Sequence, residues 1–134
     1  MAKFKKIAAI AAAAVITVSA MAISVSAATL RDSINQSTSY GTYQGVLTFQ
    51  PYGTGRMGTA STTMLNGVAV DHITAGIGVW NLNTGAVLYT PMNITNDNAG
   101  HVSYIVTSGT DIAVHGQGYH NVNYSWPTYT NIYG

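Results

Sequence analysis

Aromatic rings and side-chain amides are concentrated in the last segment of the chain, GQGYHNVNYSWPTYTNIYG, which contains no Lys, Arg, Asp or Glu. Tyr124 and Trp126 alternate with Ser125, so on an extended strand they would share one face. Flat aromatic rings pack against the CH groups of a pyranose, and neighbouring amides can bond its hydroxyls without any charge. We therefore expect an aromatic binding face, whose candidate residues are Tyr119, Tyr124, Trp126, Tyr129 and Trp80.

Histidines and aspartates offer a second kind of chemistry. His72, Asp71 and His115 are weak candidates for a metal site, because two imidazoles and a carboxylate suit zinc, copper or iron. The sequence has no HExxH or HxH spacing and no cysteine. His115 and His120 lie five residues apart, so on one straight strand they would face opposite sides. We expect ordinary imidazoles, with no metal and no cofactor.

Catalytic motifs are missing from the sequence. There is no GxSxG segment for a nucleophilic serine, and the four acidic residues are aspartates scattered along the chain. The glycine-rich stretch Pro51–Gly58 has neither the lysine nor the following helix of a phosphate-binding loop, so it predicts a plain loop. We expect a protein that is not an enzyme, and the alternative is a metal-dependent activity that uses the histidines.

The N-terminus has the three parts of a secretory signal. Lys3, Lys5 and Lys6 precede an apolar stretch, and small residues follow at Val25-Ser26-Ala27. The alternative is a membrane anchor, which would need a longer apolar segment. We expect cleavage after Ala27, export from a bacterial cell and a secreted, extracellular protein.

Maturation would reverse the net charge. The full chain carries +1, and loss of its three lysines leaves two arginines against four aspartates, which is −2 with neutral histidines. Nucleic acids and anionic membranes attract proteins through Lys and Arg, so neither is an expected partner. So few charges also leave self-association unopposed.

Strand-forming residues dominate after the signal. Thr, Val, Ile, Tyr, Asn and Gly are frequent, and no long segment has a 3.6-residue apolar period. Residues 28–42 are polar and predict a loose lead-in, with at most a helical turn over Leu30–Gln36. The predicted strands are Tyr43–Gln50, Thr59–Leu65, Val68–Ile73 with its continuation to Trp80, Ala86–Thr90, His101–Thr107, Asp111–His115 and Tyr119–Trp126.

Turn signals separate these strands. Asn66-Gly67 predicts a two-residue hairpin, Asn83–Gly85 and Ser108–Thr110 predict turns, and Asn93–Gly100 predicts a polar loop. Ile73, Ala75, Ile77 and Val79 alternate with polar or glycine positions, which places these aliphatics on one face and Trp80 on the other. The glycines at 76 and 78 indicate a bulge or the close approach of a neighbouring group.

Regular spacing of short strands predicts an all-β fold. We expect a signal peptide over residues 1–27 and a single antiparallel β-sandwich or small barrel of seven or eight strands over residues 43–134. In its small size, its signal and its richness in Gly, Tyr, Asn and Ser, the cysteine-free chain resembles exported bacteriocins of the lactococcin type. No motif aligns residue by residue, so the resemblance assigns no site residue.

Besides a metal-dependent activity, three functions without catalysis fit these observations. The first is a secreted module that engages cell-surface polysaccharide or protein through its aromatic face. The second is an extracellular structural protein whose partner is a further copy of itself. The third is a bacteriocin-like or pore-forming antibacterial protein, for which a membrane would be the target rather than a resident site.

Overall fold

The fold consists entirely of strands and turns over the residues that the structure describes. The computed structural model describes residues 29–109 and 112–134. No helix among these residues is long and apolar enough to cross a membrane. The strands are β1 (Leu30–Thr38), β2 (Gly41–Tyr52), β3 (Gly55–Met64), β4 (Val70–Asn81), β5 (Val87–Ala99), β6 (His101–Thr107), β7 (Val114–Val122) and β8 (Thr128–Tyr133).

Two antiparallel sheets pack face to face. Sheet 1 has the order β1-β2-β3-β6, and sheet 2 has the order β5-β4-β7-β8. The predicted all-β antiparallel fold is therefore confirmed, with eight strands. The predicted signal peptide lies outside the described residues.

The N-terminal segment differs from its prediction. Leu30–Gln36 forms no helical turn, and most of the predicted lead-in is β1, which pairs with β2 from Leu30↔Phe49 to Thr38↔Gly41. The burial of β1 alternates along its length, with Leu30 and Ile34 on its less exposed side. That alternation stabilises a strand at the edge of the sheet, because only one of its faces needs apolar residues.

The predicted loops over Pro51–Gly58 and Asn93–Gly100 are mostly strand. β2 reaches Tyr52 and β3 begins at Gly55, so only two residues turn. The pairing of β1 with β2 reaches no further than Phe49, so β2 has an open edge beside Pro51. Pro51 is tolerated because a proline nitrogen that faces an open edge breaks no ladder bond. Residues 93–99 belong to the edge strand β5, and most of them are polar because this strand is exposed over most of its length.

Asn66-Gly67 forms a turn, but it does not join a hairpin. Gly67 has a φ of +72° and its amide donates to the Met64 carbonyl at 3.1 Å. The strands on either side, β3 and β4, belong to different sheets. The connection runs over five residues between Met64 and Val70, so the chain has room to cross between the sheets instead of doubling back.

The C-terminal segment holds two strands rather than one. β7 ends at Val122, a turn follows, and β8 begins after Pro127. Of the predicted strand Asp111–His115, Val114 and His115 begin β7, which pairs with β4 and β8 rather than with β6.

The predicted details of β4 are confirmed. Ile73, Ala75, Ile77 and Val79 lie in the core, and the pairing with β5 shifts register between Ile77 and Val79. The turn after β4 is also confirmed, because the Asn81 side chain accepts from the amides of Asn83 and Thr84.

A polar belt divides the core into two apolar clusters. One cluster is built around Tyr43, Met64 and Ile73, and the other around Leu47, Phe49 and Ile77. Between them lies His120, which is fully buried and hydrogen-bonded at both ring nitrogens. The sandwich is thus held by specific hydrogen bonds at its centre as well as by apolar contact.

Candidate functional site

The outward face of sheet 2 is arranged in rows that run across the strands. Register places Trp80 beside His115 and His115 beside Tyr133 in one row. A second row contains Gln117 and Asn131 next to Gly78, and a third contains Tyr119 and Tyr129 next to Gly76. Successive rows are about 7 Å apart, because outward side chains occur at every second residue of a strand.

Three rings stack across three strands in the first row. The Trp80 and His115 ring centroids are 5.2 Å apart, with 27° between the ring planes. His115 and Tyr133 are 4.4 Å apart and nearly parallel, at 9°. Tyr133 is 64 % exposed, so its ring offers apolar surface to a ligand. The stack fixes the three rings in place, and a ligand would lose little free energy in ordering them.

Amides lie directly beside this stack. Asn131 Oδ1 lies 3.2 Å from His115 Nε2 and accepts a hydrogen bond from Gln117 Nε2 at 3.3 Å. Because a carbonyl oxygen only accepts, His115 Nε2 carries the proton of this pair. The side-chain atoms Asn131 Nδ2 and Gln117 Oε1 take no part in these bonds, and they can serve a polar ligand.

Two glycines allow side chains to lie flat on β4. A Cβ at Gly78 would lie 2.7 Å from Trp80 Cη2, and one at Gly76 would lie 1.8 Å from Asn93 Oδ1. Both distances are shorter than real contacts, so the Trp80 ring and the Asn93 side-chain amide pack directly on the glycine backbone. The result is a flattened surface between the first and third rows.

A shallow depression of about 360 Å³ adjoins the stack at the end of sheet 2. Its lining combines the three stacked rings with Asn81, Leu82 and Gly85 of the β4–β5 turn. The depression therefore joins apolar ring surface to the polar groups of a turn that side-chain hydrogen bonds hold in place.

Tyr119 and Tyr129 form the third row, edge to face, with centroids 5.7 Å apart at 79°. Burial raises the pKa of the Tyr119 hydroxyl, and the neighbouring Tyr129 adds to that shift. Three of the five predicted binding residues, Trp80, Tyr119 and Tyr129, thus lie on one face.

The other two predicted residues lie on the turn between β7 and β8. Tyr124 has a φ of +54°, so it is not on a strand and shares no strand face with Trp126. Its ring packs on His72 at 4.7 Å, while Trp126 is 90 % exposed. Alternation failed as a signal here because Asn123 also has a positive φ, of 50°, and turns the chain.

The weak metal candidates are separated. His115 pairs with Trp80, eight residues along β4 from His72, which corresponds to about 27 Å. His72 Nδ1 lies 2.8 Å from Asp97 Oδ1 instead, and Asp71 is exposed beside it. Among residues 29–109 and 112–134, no group of three or more His, Cys, Asp or Glu is close enough to bind a metal.

His115, Tyr133, Gln117 and Asn131 are residues of this face that sequence reasoning did not assign to it. The place of His115 in the stack follows from β7 pairing between β4 and β8, which the sequence alone did not predict. Comparisons of the chain with protein families, with characterised proteins and with solved structures returned no match.

Proposed function

We propose that this protein is a secreted, non-catalytic module that binds a neutral cell-surface polysaccharide along the outward face of sheet 2. The observation that carries the proposal is the Trp80–His115–Tyr133 stack beside the Gln117 and Asn131 amides. Ring surface next to amides is the combination that sugars require, since each pyranose presents CH groups and hydroxyls together.

Charge favours a neutral ligand. The three rows from Trp80 to Tyr129 contain no Lys, Arg, Asp or Glu. Asp97 is a charged residue on this side of sheet 2, but it lies next to His72, at the end of the face opposite Trp80. An anionic polymer would find no cation in these rows, so its binding would gain nothing from Coulomb attraction.

The length of the face favours a polysaccharide over a single sugar as the ligand. Rings occur at the first row, at the third row and again at the turn that carries Tyr124 and Trp126. From Trp80 to the level of His72 is about 27 Å, which exceeds the length of one pyranose several times. An extended polymer could contact all three positions at once.

Loss of one stacked ring should weaken binding at least tenfold. We expect this for Trp80→Ala and for Tyr133→Ala, because about 1.4 kcal/mol of ring contact corresponds to a factor of ten. Trp126→Ala should weaken binding less, since this ring stands apart from the amides. The measurement is depletion of the protein from solution by a panel of insoluble neutral polysaccharides.

Tyr52→Ala is the matched control. The exposed fraction of Tyr52 is 55 %, similar to the 64 % of Tyr133, but Tyr52 is the last residue of β2 in the opposite sheet. It should leave polysaccharide binding unchanged, and thermal unfolding should show all four variants folded. Retention of full affinity by both Trp80→Ala and Tyr133→Ala would refute the proposed face, and failure to bind any neutral polysaccharide would refute the ligand class.

A further inference from the structure

Strand β5 is an unusually exposed edge. It is 13 residues long, and every residue except Tyr89 and Ala99 is exposed. Sheet order gives it one neighbouring strand, β4. Half of its backbone donors and acceptors therefore face away from the sheet, which is the arrangement that recruits a further strand.

The opposite side of the sandwich is closed within the chain. There the edge strands β1 and β8 lie against each other, and Asp32 Oδ2 accepts a hydrogen bond from the backbone amide of Asn131 at 2.8 Å. An inward-facing carboxylate of this kind blocks the addition of another strand. The protein thus protects one pair of edges and leaves β5 open.

Only the first part of β5 is protected. Pro91 and the register shift opposite Gly78 disturb pairing there. From Met92 to Asp97 the register with β4 is continuous, so this segment is a regular strand. It has no Lys or Arg, and its one charged residue, Asp97, already lies 2.8 Å from His72 of the same chain.

Apolar side chains accompany the open edge. Met92 is 56 % exposed and Ile94 is 40 % exposed, on the side of β5 that faces sheet 1. The Tyr104 hydroxyl of β6 reaches the Met92 sulfur at 3.7 Å, so this side of β5 lies at the gap between the edges of the two sheets. A strand added at β5 would cover both apolar side chains.

We propose that Met92–Asp97 pairs antiparallel with the same segment of a second copy, joining two sandwiches through one eight-stranded sheet. A two-fold axis at Ile94 or Thr95 pairs five residues of this segment with the same five of the other copy and keeps the core sides of both strands aligned. In these two registers Asp97 lies opposite Pro91 or Asn93 of the other copy, so the two aspartates never oppose each other. With the axis at Ile94, the Ile94 side chains of the two copies meet directly.

Ile94→Lys tests the pairing. A lysine on an edge strand opposes strand addition, and two copies would bring two lysines together. Ile105→Lys is the matched control, because Ile105 is 53 % exposed on β6, the neighbouring edge of sheet 1. The experiment is light scattering after size-exclusion chromatography, over a range of concentrations, on protein purified from cells expressing the full chain.

The expected result is a mass that doubles with concentration for the wild type and for Ile105→Lys, while Ile94→Lys keeps the mass of one copy. Hydrogen exchange of the wild type supplies a second readout, since amides within Met92–Asp97 should become protected as the mass doubles. A mass that stays at one copy at all concentrations would overturn the proposal. So would growth beyond two copies, equal loss of association in both variants, or unchanged exchange at β5.

Discussion

Acidification from pH 7 to pH 4 is expected to lower the free energy of unfolding by about 3 kcal/mol, and His120 is the residue responsible. Its side chain is fully buried, and that burial lowers its pKa from 6.5 to about 4. A backbone hydrogen bond with Ser61 and the charge of Asp32 oppose the shift without cancelling it.

The hydrogen bonds of His120 explain why the folded protein keeps it neutral. Thr62 Oγ1 donates to the Thr74 carbonyl at 2.7 Å, so it must accept from His120 Nδ1, 3.0 Å away. That leaves His120 Nε2 as the acceptor for the Thr130 hydroxyl at 2.9 Å. A second proton on the ring would disrupt this arrangement in a site with little solvent.

The direction of the pH effect follows from the two protonation states. Below pH 6.5 the unfolded chain binds a proton at His120, whereas the folded protein binds one only near pH 4. The contribution of His120 to the free energy of unfolding is therefore fully present above pH 6.5. It is lost progressively as the pH falls, and no further loss from this residue occurs below pH 4. Chemical denaturation at several pH values measures the slope.

His120→Gln should remove most of that slope, because glutamine does not titrate. Its stability at pH 7 is expected to fall as well, since the amide cannot reproduce the ring geometry. The matched control is His101→Gln, which replaces an exposed histidine that contacts Thr63 at 2.7 Å. It should keep the wild-type slope, and an equal slope in His120→Gln would contradict the assignment.

Local patterns predicted the strands better than they predicted their partners. The alternation of β4 placed Ile73, Ala75, Ile77 and Val79 on one face, and these residues are buried. Turn residues also marked where strands end, as at Gly85 with its φ of +75°. The choice of partner depends instead on which faces pack across the two sheets, and no local signal at Asn66-Gly67 records that.

The binding face was predicted in part for the same reason. Trp80 was placed outward by alternation within its own strand. The stack with His115 and Tyr133 requires the order β4-β7-β8, which brings together residues far apart in the sequence. A signal for the buried His120 was present, since Gly116 and Gly118 alternate with it and leave room on the inward side of β7.

Gly116→Ala is expected to destabilise the protein by about 3 kcal/mol through overpacking. A Cβ at Gly116 would lie 2.1 Å from Phe49 Cε2, and the Phe49 ring is buried in the second apolar cluster. The ring cannot yield in the other direction, because Gly58 of β3 lies against it, with a Cβ there only 2.6 Å from Phe49 Cε1. Phe49 is thus held between two glycines of opposite sheets.

The control for this substitution is Gly109→Ala, where an added methyl group would meet no atom within 4 Å. It should change the unfolding free energy by less than about 0.5 kcal/mol. Phe49→Leu supplies the sharper test, because a smaller side chain would relieve the clash that the new methyl group creates. In a double-mutant cycle the two changes should therefore cost at least about 1 kcal/mol less together than their separate costs predict. Strict additivity would mean that the Gly116 methyl group does not act through the Phe49 ring, and that the core between the sheets is looser than these contacts imply.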